Sequence, residues 1–503
     1  MSAVAVAPIS EKPQVTGELK QFFQQSSHYI LGFGGSLAFG FISFPIFTRV
    51  FSVADFGMID LISKILLLLT ALSKCGMQNS VLRFFDQKTF ATDKEAAKRY
   101  YSTVFFGVSA TAAVVTVPFL LSGLLPAPVK SPEVSVLIFA SSLIFVRAMQ
   151  SILSTFLRIE ERTLAVNALT ILIRATTLAG VLMLLFLGIS ASVRTYFLVV
   201  MGVESAIVLA LSGWLVSRGL LHLTSFDPAL FRTAALFGLP MILHETSGIF
   251  LDAGDRIMVD HYLGPDPLGL YTVAYGLSAQ LNTVLMVPMS MAIVPVYMRL
   301  WNTEGKAKTS EFLNTTLDFF LMMAAGVMAM VFVLSRDAVA LLASSKYDGV
   351  DALIPTIVAG LLFSAAQMFL NAGLIIHKKT YAMAGVLAVS AMINFAINAL
   401  FLPRIGLQAA AIATLVSYAF CTFVLSWMTN KVLPLKLEIK PMCGYFLAAF
   451  VVCVTVSRLE FGNSFFNCIT KSTLCICIYY AILYFMDSRV KTMSQKAWSY
   501  LRP

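Results

Sequence analysis

Two arginines, Arg147 and Arg174, lie deep inside apolar stretches of the chain, and neither has an acidic residue three or four positions away. A guanidinium is a planar fork that grips phosphate or carboxylate oxygens two at a time. An ionisable side chain at mid-bilayer costs about 2.5–3.5 kcal/mol, so each one needs a reason. Arg147 precedes Arg158 by 11 positions and Arg174 follows Arg162 by 12. At a helical rise of 1.5 Å both lie about 17 Å from the same membrane face. Arg147, Ser151, Ser154 and Arg158 form one polar stripe, and Asn167, Thr170, Arg174 and Thr177 another. Two readings follow. In one, the arginines pair with Glu204 of the next apolar segment or with carbonyls. In the other, they line an anion-binding lumen.

The stretch LDAGDRIMVD, 251–260, poses the same problem at the end of a hydrophobic helix. Glu245, Gly248, Asp252 and Arg256 share one helical face, and Asp252 and Arg256 have the i,i+4 spacing of an ion pair. Asp60 and Lys64 have it too. His244, beside Glu245, is either a titrating group near neutral pH or a hydrogen-bonded packing residue. Lys74 is placed to snorkel, and Asp318 sits about two turns into its segment, within reach of water. Asn282, Gln367, Asn371, Asn394 and Asn398 are read as polar packing contacts. Asp252, Asp255 and Arg256 are expected either at the outer mouth of a cavity, opposite Arg49, as a gate of ion pairs, or as a fixed interfacial charge cluster that only sets helix depth.

These residues need membrane helices to hold them. The 503 residues are 58% hydrophobic and 12% charged, with a mean hydropathy of +0.83; soluble domains carry about 25% charged residues. Fourteen windows are apolar enough to span: 29–51, 56–78, 101–125, 133–157, 164–189, 195–217, 234–259, 268–298, 311–335, 352–376, 380–402, 406–430, 441–458 and 465–487. With the N-terminus inside, inner segments carry 23 Lys and Arg and outer loops 8. That bias puts both termini in the cytoplasm. The net charge of +10 then reflects topology and anionic lipid heads, not nucleic acid. The seven scattered cysteines show neither CxxC nor zinc spacing, so no metal site is expected. No Walker A loop, nucleophile constellation, large cytosolic segment or long outer loop is visible, which argues against an ATPase, a glycosyltransferase or a glycan polymerase or ligase. The chain is read as a non-enzyme.

A weak repeat relates TRVFSVADFGMIDL, 48–61, to DRIMVDHYLGPDPLGLY, 255–271, matching Arg49 with Arg256, Asp55 with Asp266 and Gly57 with Gly269. Two such halves are a transporter pattern. The segment 28–61, GMQNSVLRFF at 76–85 and FGLPMILHETSGIFLDAGDRIMVDHYLGPDPLGLYTVAYGL at 237–277 resemble the Wzx-type polysaccharide-unit flippases of the MOP superfamily. The resemblance is clear over about 1–85 and 230–300 and rests on hydropathy and helix count elsewhere. It implies an all-α membrane fold of about 14 helices, two pseudo-symmetric six-helix lobes in a V around a central cavity, plus two C-terminal helices. The expected parts are a cytoplasmic tail (1–28), one lobe (29–219), a linker (220–233), a second lobe (234–430), the extra helices (441–487) and a C-terminal tail (488–503).

It further implies flipping of undecaprenyl-diphosphate-linked oligosaccharides across the bacterial cytoplasmic membrane by alternating access, coupled to H+ or Na+ with no cofactor. A polysaccharide polymerase and export machinery are the partners implied. Arg147, Arg174, Arg49, Arg256 and Lys64 would bind the anionic substrate. Glu204, His244, Glu245, Asp252, Asp255 and Asp318 are the coupling or gating candidates. The alternatives are a MATE-like cation–drug antiporter, with an acidic or aromatic cavity, and a membrane glycan polymerase or ligase.

Overall fold

The computed structural model describes residues 34–35, 37–86, 90, 92–124, 132–436, 439–487 and 489–491, leaving aside the side chains of 123–124, 132–134, 240, 244 and 439. The expected tail at 1–28, and most of that at 488–503, lie outside the described residues. Within them the chain is all helix, without a strand.

The helices are α1 (Leu37–Val50), α2 (Val53–Ser73), α3 (Met77–Phe84), α4 (Lys94–Leu124), α5 (Pro132–Ile159), α6 (Thr163–Phe186), α7 (Val193–Ser217) and α8 (Pro228–Leu263). They continue as α9 (Pro265–Thr303), α10 (Gly305–Leu342), α11 (Ile354–Leu370), α12 (Ala372–Ile376), α13 (Thr380–Ile405), α14 (Leu407–Asn430), α15 (Ile439–Val456) and α16 (Ser464–Met486). Among the described residues eleven helices are long and apolar enough to cross a bilayer, or twelve with α8, which bends by 42° between Leu239 and Met241. The windows at 29–51 and 441–458 hold shorter apolar helices, Leu37–Val50 and Lys440–Val456.

Local chemistry sets the boundaries. Ser52 caps α2 by accepting from the Asp55 amide, and Asp227 caps α8 with Pro228 in its first turn. Gly264, at φ +89°, lets the chain turn from α8 straight into α9. Between α2 and α3 the backbone leaves the helix through two left-handed residues, Cys75 (φ 48°) and Gly76 (φ 67°). One hydrophobic cluster joins α8–α11 and α14, two others join α2–α7, and a fourth joins α10 to α15 and α16.

The two larger helix groups meet along α2, and glycines set that meeting at both ends of the bundle. Gly57 of α2 touches Gly269 of α9 so closely that a methyl on Gly57 would sit 2.5 Å from the Gly269 nitrogen. The two glycines matched by the internal repeat are thus each other's neighbours. Toward the other end, a methyl on Gly238 of α8 would sit 2.6 Å from the Cys75 carbonyl. The two ends of the bundle are called below the Arg49 end and the Gly238 end.

The last two helices are bolted to α10 at two depths. Toward the Arg49 end, Lys471 of α16 pairs with Asp337 at 2.9 Å, and Asn467 donates to the same carboxylate at 3.0 Å. Toward the Gly238 end, Arg489 meets Asp318 at 3.0 Å, and the Tyr445 hydroxyl of α15 lies 3.1 Å from both Asp318 and Asp487, donating its one proton to either.

Candidate functional site: a charged pocket between the helix groups

A pocket of about 420 Å³ lies where α1, α2 and α7 face α8 and α9. Phe44, Phe47, Phe51, Phe56 and Tyr196 form its aromatic side. Opposite them stand Asp60 and Lys64 of α2 with Asp252 and Arg256 of α8.

The pairing differs from the expectation. Asp60–Lys64 and Asp252–Arg256 have i,i+4 spacing, but the carboxylates and cations pair crosswise between helices. Lys64 Nζ lies 2.7 Å from Asp252 Oδ2, and Arg256 Nε lies 2.5 Å from Asp60 Oδ2. Arg256 reaches only the main chain of Asp252, donating to its carbonyl at 2.7 Å. The reason is geometric: α2 and α8 pack together, so each side chain finds a better-aligned partner on the facing helix.

Behind this front row lies a buried second row. Asp255 is fully buried and receives Arg256 Nη1 at 3.3 Å, the hydroxyl of Tyr271, and Thr414 Oγ1 at 3.3 Å. Tyr275 donates to Asp252 at 2.6 Å, and its ring lies 4.2 Å from the Arg256 guanidinium carbon. Three carboxylates therefore face two cations. With all five ionised the cluster holds one excess negative charge, in a setting of low dielectric where such an excess is costly. In the second helix group, Asn398 donates to Asn394 at 3.0 Å, leaving Asn398 Oδ1 and Asn394 Nδ2 buried without partners among the described residues. Asn398, Thr414 and Asp255 are each seven or eight residues from the Arg49 end of their helices, hence at similar depth.

The other candidates fall in separate places. Arg147 grips Glu204 with Nε at 2.9 Å and Nη2 at 3.2 Å, so the carboxylate expected as its alternative partner is the one it meets. Arg174 sits against α1, with Nη1 3.6 Å from where a methyl on Gly40 would lie, and is engaged by other groups. Glu245 belongs to a knot at the α2–α3 break, where Lys74 meets it at 3.2 Å and Gln78 donates to it at 2.9 Å. Lys74 is buried there instead of snorkelling. Asp318 is held in the α10–α15–α16 junction, away from the pocket. The His244 side chain lies outside the described residues.

Arg49 does not face Arg256 across a mouth. Its guanidinium donates to the Leu341 carbonyl at 2.9 Å, at the C-terminus of α10. Lys346, just past α10, donates in return to the Arg49 and Phe51 carbonyls, each at 3.0 Å, at the C-terminus of α1. Each cation thus caps the negative end of the other group's helix.

Sequence reasoning missed Tyr271, Tyr275, Thr414, Lys346 and Lys471. The two tyrosines carried a signal, since their i,i+4 spacing puts both hydroxyls on one face of α9. Lys471 carried another, a lysine inside a spanning window.

With this geometry in hand, comparison adds the following. The sequence profile of the family described as "Polysaccharide biosynthesis protein" matches residues 23–301. No curated protein matches the sequence. Among solved structures, the lipid II flippase MurJ in an inward closed conformation superposes with a TM-score of 0.74 at 13% identity, covering 93% of this chain and 99% of that one. An inward-facing multidrug resistance MATE family transporter of the MOP superfamily gives a TM-score of 0.58 at 15% identity, covering 78% and 97%. A Vibrio cholerae MATE transporter gives 0.52 at 13%, covering 82% and 96%. The fold is therefore that of MurJ and the MATE transporters, and these neighbours are transporters, not enzymes.

Proposed function

Because the chain belongs to the polysaccharide biosynthesis protein family, we propose that it flips undecaprenyl-diphosphate-linked oligosaccharide units across the bacterial cytoplasmic membrane by alternating access. The observation that carries the reading is the pocket in which Lys64 and Arg256, from opposite helix groups, face one another across paired carboxylates. A diphosphate entering there offers both cations an alternative anion. Trading Asp60 and Asp252 for phosphate oxygens breaks the salt bridges that tie the groups together, so binding and opening become one event. Arg147, with its fork held by Glu204, is the reserve anion site deeper in the first helix group.

The excess negative charge supports ion coupling. A proton or Na+ at Asp255 neutralises it, with the Tyr271 and Thr414 hydroxyls as further donors to a cation. The Lys and Arg bias makes the Arg49 end periplasmic and the Gly238 end cytoplasmic. The polymerase and export machinery that use the product are the partners of this reading.

The aromatic wall and the surplus carboxylate also suit the second reading, a cation–drug antiporter. One experiment separates them. In a strain lacking the gene, the lipid-linked intermediate and its leaflet are measured with wild type, Arg256→Ala or Arg147→Ala added back. The flippase reading expects the intermediate on the cytoplasmic leaflet until wild type is restored. An intermediate that reaches the periplasmic leaflet without the protein overturns it in favour of the antiporter.

A further inference from the structure

Helix α2 separates two cavities of opposite character. Its Asp60 and Lys64 face the charged pocket, while its Ile62, Ile65 and Leu69 line a second cavity of about 770 Å³ inside the first helix group. That cavity is walled by α2, α4, α5 and the start of α7, and its lining is mainly aliphatic, with Phe119 and Ser141 along it and its charged groups, Asp55 and Arg194, at one end. It begins at the Arg49 end, at Asp55, Val136 and Arg194, and runs inward to Leu69 on α2 and Ile144 on α5. Fourteen residues of α2 separate Asp55 from Leu69 and eight of α5 separate Val136 from Ile144, so the cavity is about 12–21 Å deep at 1.5 Å per residue. Half of a bilayer's hydrocarbon core is about 15 Å. The cavity is as deep as one leaflet.

Its mouth carries a cation that the fold does not otherwise explain. Arg194 occupies the first turn of α7, where the helix dipole disfavours positive charge, and it has no partner among the described residues. The carboxylate at the same mouth, Asp55, is engaged by the Ser52 hydroxyl at 2.7 Å and sits in the first turn of α2, where its charge is favourable. An exposed guanidinium at headgroup level over an apolar shaft of leaflet depth matches one kind of molecule in charge, polarity and length.

We propose that this cavity is a phospholipid site. One acyl chain of an anionic phospholipid from the leaflet at the Arg49 end lies in the shaft, and its phosphate is held by Arg194. The site is separate from the charged pocket, so the proposal stands whatever the transported substrate is.

The test uses the full-length protein in nanodiscs containing phosphatidylglycerol with a diazirine in one acyl chain, followed by peptide mapping. Native mass spectrometry then counts the phosphatidylglycerol retained after transfer to detergent. The expected result is labelling concentrated on the peptides around Ile65 and Leu137, with one lipid retained. Arg194→Ala, at an exposed position that tolerates truncation, lowers its affinity about tenfold, the loss of one charge-assisted hydrogen bond. Ala140→Phe fills the shaft and removes the adduct; if that variant elutes as aggregate, Ile65→Trp, at a half-open position, takes its place. Labelling spread evenly over the lipid-facing helices overturns the proposal. So does retention unchanged by Arg194→Ala, or added undecaprenyl phosphate displacing phosphatidylglycerol one for one, which would give the cavity to a prenyl chain instead.

Discussion

The cluster that links the two helix groups has three carboxylates for two cations, so removing a cation costs more than removing a carboxylate. Arg256 is 2% exposed and faces Asp60 and Asp255. Arg256→Ala leaves two carboxylates uncompensated, one of them fully buried, a change that costs about 3–5 kcal/mol. A fall in thermal stability of that size, together with lost export, is expected; full activity in Arg256→Ala would remove the pair from the gate. Lys64→Asp alone places two carboxylates together and should abolish function. Adding Asp252→Lys restores opposite charges 2.7 Å apart in reversed order, so the double variant should recover a measurable part of the export that the single variant loses. Arg147→Lys is expected to fall short of wild type in the same assay, because a point charge cannot reproduce the two-pronged contact with Glu204.

The existence and type of most elements were legible in the sequence, because a hydrophobic window is a local property. Mid-membrane charges were legible for the same reason: Arg147, Asp252 and Arg256 stand out against their own neighbours. Their partners were not. An i,i+4 pair and a cross-helix pair have the same local signature, and only the packing of α2 on α8 decides between Lys64–Asp60 and Lys64–Asp252. Lys346 looked like a topology charge because its acceptors are carbonyls almost 300 positions away. The repeat match of Gly57 with Gly269 was visible as an alignment, but not that the two would touch.

The glycine contact at the other end of the bundle, Gly238 against Cys75, makes a prediction at the level of helices. Gly238→Ala puts a methyl 2.6 Å from the Cys75 carbonyl, a main-chain atom that cannot swing aside. The variant should therefore favour the state in which α8 and the α2–α3 break have parted. Labelling of Cys75 by a membrane-impermeant maleimide from the Gly238 end should rise severalfold; unchanged labelling would mean that these helices do not separate. Lys471→Met should instead leave the half-buried Asp337 without its cation and loosen α16 from α10. Protease sensitivity of the α15–α16 pair should rise while the charged pocket stays intact.

For the molecule as a whole, the described geometry is closed at both ends. Arg49 and Lys346 tie one end, and the Gly76–Gly238 contact with the Lys74–Gln78–Glu245 knot ties the other. A transporter working by alternating access must break one of these sets of contacts at a time. If Asp255 carries the coupling ion, Asp255→Asn should make export independent of the ion gradient, or abolish it, while binding of substrate to purified protein persists. Gradient dependence unchanged in that variant would place the coupling elsewhere.

The junction of Arg49 and Lys346 has one more consequence. Its donors are side chains, but its acceptors are the main-chain oxygens of Leu341, Arg49 and Phe51. A peptide oxygen is the same whatever residue bears it. The clasp therefore sets no demand on the side chains at positions 341 and 51, and no second substitution can rescue a lost Arg49 or Lys346 by supplying a new anion. Covariation between positions, which finds ion pairs by their compensating changes, would pass over this fastening between the two halves.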